Sequence, residues 1–248
     1  MLRKKVLFFV ATFTILAVDF AKATLLDIHI ANAPPLTMTA NAAGYGIVGD
    51  IALAAVALAG YKPQIQDLPW PRSQLLVSSG KNQLIIPLSR TTEREDKFTW
   101  VAPIMPMERA FFTLDTPVSS FSEAKKRYRA IAVGAGTAQL EILKQQGFSE
   151  SQIHILKLGD IPLRMLQLGR IDAWFTGVPE GRYEWPEREI NSIAAKLKMS
   201  PVLHSVDLYL ACSIDCDASL VASLRSAVNS LRADGTIKKV TRTYLGKQ

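Results

Sequence analysis

The sequence predicts an α/β protein with mainly parallel sheets, and three observations carry that expectation. Short β-branched runs alternate with helical patterns along most of the chain. Gly and Pro sit where one pattern gives way to the next. Apolar residues make up 48% and charged residues 21% of 248, which suits a globular core and excludes a disordered tail or a collagen-like fibre. That length has room for one large domain or two small ones.

Residues 25–30, LLDIHI, alternate as a strand does. Gly49-Asp50 opens an Ala-rich helix over residues 51–59, which Gly60 stops. Residues 62–67 read as extended, with Pro63 giving edge character. Pro71 suits the first position of a helix running through residues 73–78 to Gly80. A short buried-type strand follows at 84–86. After a junction at 116–122 the grammar repeats: strand 129–133, helix 137–146 stopped by Gly147, strand 153–156, helix 162–168 and strand 171–175. There is no internal repeat and no low-complexity segment.

The N-terminus carries Arg3, Lys4 and Lys5, then an uncharged apolar run over 6–18, then Ala21-Lys22-Ala23. This predicts a signal peptide over residues 1–23, cleaved after Ala23, and a periplasmic mature protein. The run is too short to cross a hydrocarbon core of ~30 Å. No cysteine near the cleavage point offers a lipid attachment site. The chain has 29 Lys+Arg against 22 Asp+Glu, a net +7; residues 1–23 hold four of the bases and one acid, so +7 falls to about +4. So mild a charge does not call for nucleic acid as a partner.

Three scattered histidines and two cysteines argue against a metal site, and no Ser-His-Asp or Cys-His arrangement is visible. No catalytic residue, metal or cofactor is expected. Gly44-Tyr45-Gly46-Ile47-Val48-Gly49 spells G-x-G-x-x-G, but residues 31–43 separate it from the preceding strand, so it reads as a turn feeding a helix. Val133-Gly134-Ala135-Gly136-Thr137 joins strand, glycines and helix directly. It is either an anion site of backbone N–H groups or an ordinary turn capped by Thr137. Cys212 and Cys216, four apart in an exported chain, are expected to form a local disulfide.

Several motifs in order resemble the family 3 extracellular solute-binding proteins that serve ABC importers of polar amino acids. They are Pro69-Trp70-Pro71-Arg72, Ser79-Gly80-Lys81, Leu88-Ser89-Arg90-Thr91-Thr92-Glu93-Arg94-Glu95 and Phe98-Thr99-Trp100-Val101-Ala102-Pro103. The Gly134–Thr137 turn, Leu168-Gly169-Arg170-Ile171-Asp172-Ala173 and Leu231-Arg232-Ala233-Asp234-Gly235-Thr236 complete the series. The resemblance implies a divergent member with the two-lobed, type II periplasmic-binding fold: residues 24–110 in lobe one, 111–202 in lobe two, and 203–248 back in lobe one. It also implies a small carboxylate-bearing ligand, a membrane permease as partner, and a monomer.

Thr92 and Glu95 have capping-box spacing, which predicts Arg94 in the first turn of a helix. A cation there opposes the helix dipole unless an anion sits beside it. In the family the matching arginine clamps the ligand's carboxylate, so Arg94 heads the expected site. Ser89 matches a hydroxyl facing the same group, and Gly136 with Thr137 would add donors from lobe two. Trp70, stiffened between two prolines, is either a cleft wall or core. Arg72 is either a second cation or an exposed helix-start residue. Family members that bind amino acids commonly carry an aspartate at the place of Gly177, for the α-ammonium. Its absence predicts a ligand that tolerates loss of that group. The competing expectation is an exported prephenate-type dehydratase on the same fold, with Glu180 as its general acid.

Overall fold

The computed structural model describes residues 24–39, 44–160, 162–183 and 188–246, so the expected signal peptide lies outside the described residues. Strands β1 (Leu25–Ile30), β2 (Lys62–Gln66) and β3 (Leu84–Ser89) alternate with helices α1 (Gly46–Leu58) and α2 (Trp70–Ser79). A 3-10 turn at Thr92–Arg94 then leads into β4 (Phe98–Thr113). Next come α3 (Phe121–Arg127), β5 (Ile131–Gly134), α4 (Ala138–Gln145), a 3-10 turn at Glu150–Gln152 and β6 (Ile153–Leu156). The chain continues through α5 (Leu163–Gln167), β7 (Ala173–Gly177), α6 (Val178–Gly181), α7 (Arg188–Ala194) and β8 (Lys198–Met199). It closes with β9 (His204–Ser213), α8 (Ala218–Ala233) and α9 (Thr236–Leu245).

The strand order is β2-β1-β3-β9-β4-β7-β5-β6, with β8 on β4. At one end β1 pairs in parallel with β2 and β3; at the other, β5 pairs in parallel with β6 and β7. Between them β4 and β9 form a long antiparallel ribbon, from Phe98↔Ser213 to Arg109↔His204. The sheet thus has two parallel wings joined by two adjacent strands. Each wing is covered on both faces, as parallel sheets require. Ile28, Ile30, Leu84 and Ile86 pack on α1 and α8, while Ile85 and Leu88 turn to Trp70 and Val77 of α2. In the second wing Phe111, Ile131 and Phe175 join Ile142 and Leu143 of α4, and Phe112, Ala132 and Trp174 face Leu163 and Leu166 of α5. Period-two alternation of the strands sets both divisions.

Two elements depart from expectation. Helix α1 begins before residue 51, because the Ile47 and Val48 amides donate to the carbonyls of Pro35 and Leu36 and anchor its first turn on the 33–38 loop. Gly46, at φ +83°, makes that approach possible: a Cβ there would stand 2.7 Å from the Leu36 oxygen. Asp50 does not open the helix; it accepts the Tyr45 amide and the Tyr244 hydroxyl, tying α1 to α9. Strand β4, which is not among the expected strands, runs straight through Pro103 and Pro106. Register shifts between Trp100 and Ala102 and between Pro103 and Met105 flank Pro103, while Pro106 stays in register opposite Asp207. Cys212, buried at the end of β9, is joined to Cys216 by a disulfide. Among the described residues no helix is long and apolar enough to cross a membrane.

Candidate functional site

The two wings meet over a cavity with about 40 Å³ of room for water, lined by Trp70, Ser89, Arg94, Arg109, Thr137, Gln139 and Glu180 among others. A neighbouring cavity of about 30 Å³ shares Gln139 and Glu180 with it. Polar side chains converge here because four element ends do: the C-terminal end of β3, the bend into β4, the start of α4 and the short α6. Such ends are where open α/β sheets bind ligands.

Arg94 is 4% exposed. It sits in the 3-10 turn rather than in an α-helix, and the capping box does not form: Thr91 precedes the turn, and Glu95 pairs instead with Arg90. The Arg94 fork reaches across to α4. Nε and Nη2 donate to Glu141 Oε1 at 3.1 and 2.6 Å, and Nη2 also donates to the Gly136 carbonyl at 3.1 Å. Nη1 donates to the Ser89 carbonyl at 3.4 Å. The Thr91 hydroxyl donates to Glu141 Oε2, and Gln74 Nε2 to the Gly136 carbonyl, both at 2.9 Å. Gln145 donates to Glu93 farther along the same seam. The wings are therefore held together by an internal carboxylate on Arg94.

Arg109 is 1% exposed and stands where β4 passes from one wing to the other. Its Nη2 donates to the Ser89 hydroxyl at 2.6 Å and its Nη1 to the Met107 carbonyl at 3.1 Å, while the buried Nε has no partner. Burial lowers its pKa to about 10, against the opposing pull of Glu180, so it is a cation at neutral pH. Glu180 is also buried; its Oε2 accepts from the Thr176 hydroxyl at 2.9 Å and the Gly177 amide at 3.0 Å. Burial raises its pKa despite those bonds and the Arg109 charge. His204, opposite Arg109 in the β4–β9 register, has its pKa lowered by burial and then by Arg109.

Of the expected residues, Ser89, Arg94, Thr137 and Trp70 line the cavity. Trp70 serves both readings, since it also packs in the core with Val77 and Ile85. The Thr137 hydroxyl donates to the Gly134 carbonyl at 2.7 Å, and Gly136 presents its carbonyl to Arg94 and Gln74. Arg72 is exposed on α2 and is not brought to either cavity. Gly177 does not leave its place without a carboxylate nearby: a Cβ there would stand 2.5 Å from Met107 Cε and 2.7 Å from Glu180 Oε2, so Met107 and Glu180 together fill the space that a side chain at 177 would enter. Sequence reasoning missed Arg109, Gln139 and Glu141. The available signal for Arg109 was a lone arginine beside the apolar run Ala110-Phe111-Phe112. Among the described residues no group of three His, Cys, Asp or Glu side chains could hold a metal ion.

Two α/β wings closed over a buried, arginine-lined cavity, joined by two adjacent strands, define a cleft-binding architecture of the periplasmic type. The model of the bacterial extracellular solute-binding proteins, family 3, matches residues 26–247, and the chain belongs to that family. Among solved structures it is similar to the arginine-, lysine-, histidine-binding protein ArtJ of Geobacillus stearothermophilus (16% identity, 92% of this chain and 96% of that one, TM-score 0.73). It is similar too to an ABC uptake transporter substrate-binding protein of Streptococcus pneumoniae with bound histidine (18% identity, 90% and 93%, TM-score 0.74). A third is the ancestral amino acid-binding protein AncCDT-1, a precursor of cyclohexadienyl dehydratase (19% identity, 89% and 95%, TM-score 0.72). At these identities the likeness shows the fold. No curated protein matches the chain by sequence.

Proposed function

We propose that the protein captures a small carboxylate-bearing solute between its lobes and delivers it, as a periplasmic monomer, to the permease of an ABC importer. The observation that carries this reading is the interlobe cavity itself, where two buried guanidiniums, Arg94 and Arg109, stand among Ser89, Thr137 and Gln139. Buried guanidinium N–H donors suit a carboxylate. The lobes divide as 24–110, 111–202 and 203–248, with β4 and β9 as the crossing strands. Trp70 and the Gly136–Thr137 turn wall the cleft from opposite sides. A solute bound by both lobes favours the closed form through its differential contacts. Thermal-shift screening against amino acids and small organic acids, followed by calorimetry, tests this. At least one carboxylate should raise the melting temperature and its amide should not; a panel with no carboxylate that binds would sink the reading.

One observation favours a second reading, a prephenate-type dehydratase. Glu180 is a buried carboxyl whose pKa burial raises, and it lines the cavity, as a general acid would. An aromatic product appearing by absorbance from prephenate, and lost in Glu180→Gln, would establish it; no turnover leaves binding alone.

A further inference from the structure

Arg94 and Arg109 both line the cavity, but they are not equally able to take a ligand. A guanidinium has five N–H donors. Arg94 commits Nε and both hydrogens of Nη2 to Glu141 and the Gly136 carbonyl, and one hydrogen of Nη1 to the Ser89 carbonyl. One donor remains, so it cannot present a fork, and Glu141 already balances its charge. Arg109 commits two donors, to Ser89 and Met107. Its Nε, which is buried and has no partner, and one hydrogen on each terminal nitrogen remain. Among the described residues no carboxylate forms an ion pair with it. Glu180 and Glu141 favour its charge without bonding to it, so its free N–H donors suit an anion able to enter the cavity.

We propose that Arg109 is the receptor for the anionic group of the bound solute, while Arg94 with Glu141 acts as an intramolecular clasp that draws the lobes together. The proposal rests on the solute-binding reading and deepens it. It places the ligand's carboxylate at the crossing strand β4, beside the Ser89 hydroxyl, rather than at the 92–94 turn. Glu180 lines the same cavity, and its Oε2 is occupied by Thr176 and Gly177. The ligand chemistry this suits is a small carboxylate with a hydrogen-bonding group beside it for Glu180, which both 2-amino and 2-hydroxy acids supply.

The test is calorimetry on the full mature chain with the twenty L-amino acids and their 2-hydroxy counterparts. For whichever probe binds, Arg109→Lys, which keeps the charge but loses the fork, should weaken it at least ~30-fold. Glu141→Gln, which opens the clasp, should lower affinity, because the closed form loses its internal ion pair. If Glu141→Gln binds more tightly, the glutamate was competing for Arg94, and Arg94 is the receptor. Arg109→Lys within ~3-fold of wild type overturns the proposal equally, and leaves the solute-binding reading intact. Should Arg109→Lys not fold, arginine side-chain NMR on wild type decides: the bound probe should shift the Arg109 Nε–H signal and not that of Arg94, and the reverse pattern overturns the proposal. If no probe binds wild type, both readings fail together.

Discussion

Glu180 and His204 are two titratable groups that lean opposite ways, and each has a pH signature. Glu180 has a folded-state pKa above the ordinary carboxylate value of ~4.3, because burial disfavours its charged form. Above that value the native state holds a proton that the unfolded chain has released. The stabilisation from this group is therefore full at low pH and declines as pH rises toward its folded pKa. Glu180→Gln keeps the shape and removes the titration. The melting temperature of wild type minus that of Glu180→Gln should fall as pH is raised from 4 to 7; a flat difference would mean the carboxyl titrates normally. His204 works the other way. Burial and Arg109 lower its pKa, so its contribution is full above ~6.5 and is lost as pH falls below that value and through the lower folded pKa.

The turn from β5 into α4 packs directly against α2 of the first wing. Gly136 there has φ +67°, and a Cβ would stand 2.8 Å from Gln74 Nε2 and 3.2 Å from Pro71 Cγ. Gly136→Ala should cost ~1–2 kcal/mol from the left-handed backbone alone. The displaced Gln74 would also lose its bond to the Gly136 carbonyl and loosen the seam that Arg94 and Glu141 close. Urea melts should show the loss in stability. Ligand titrations should show weaker binding, because the penalty falls on the closed form. An alanine variant as stable as wild type would show that the seam has slack.

At the scale of the whole molecule, β4 and β9 are the covalent links between the wings, and their ladder continues from one wing to the other. Any motion of one wing against the other bends this ribbon, in which two register shifts around Pro103 interrupt regular pairing on the first wing's side. Family membership gives the molecule an extracellular setting. We expect export with cleavage after Ala23, so mass spectrometry of the secreted protein should find Thr24 at its N-terminus. An intact Met1 on the exported product would refute that boundary.

Much of the fold was legible locally. Strands at 25–30 and 153–156 match the alternation of LLDIHI and the β-branched IHIL, because period two is a property of a few neighbouring residues. The order of strands and helices, and with it the α/β class, follows from the same short-range signals. Ser89, Arg94 and Thr137 could be nominated from motifs, since a turn and its donors lie within a few positions. Sequence could not show that β4 runs on through two prolines, because only pairing with β9 about a hundred residues away supplies the bonds that hold it. Nor could it pair Arg94 with Glu141, 47 residues on, or place Glu180 in the space beside Gly177. It could not single out Arg109 as a buried cation without a partner. Burial and counter-charge are set by what other segments bring to the same few ångströms, and only the folded chain brings them together.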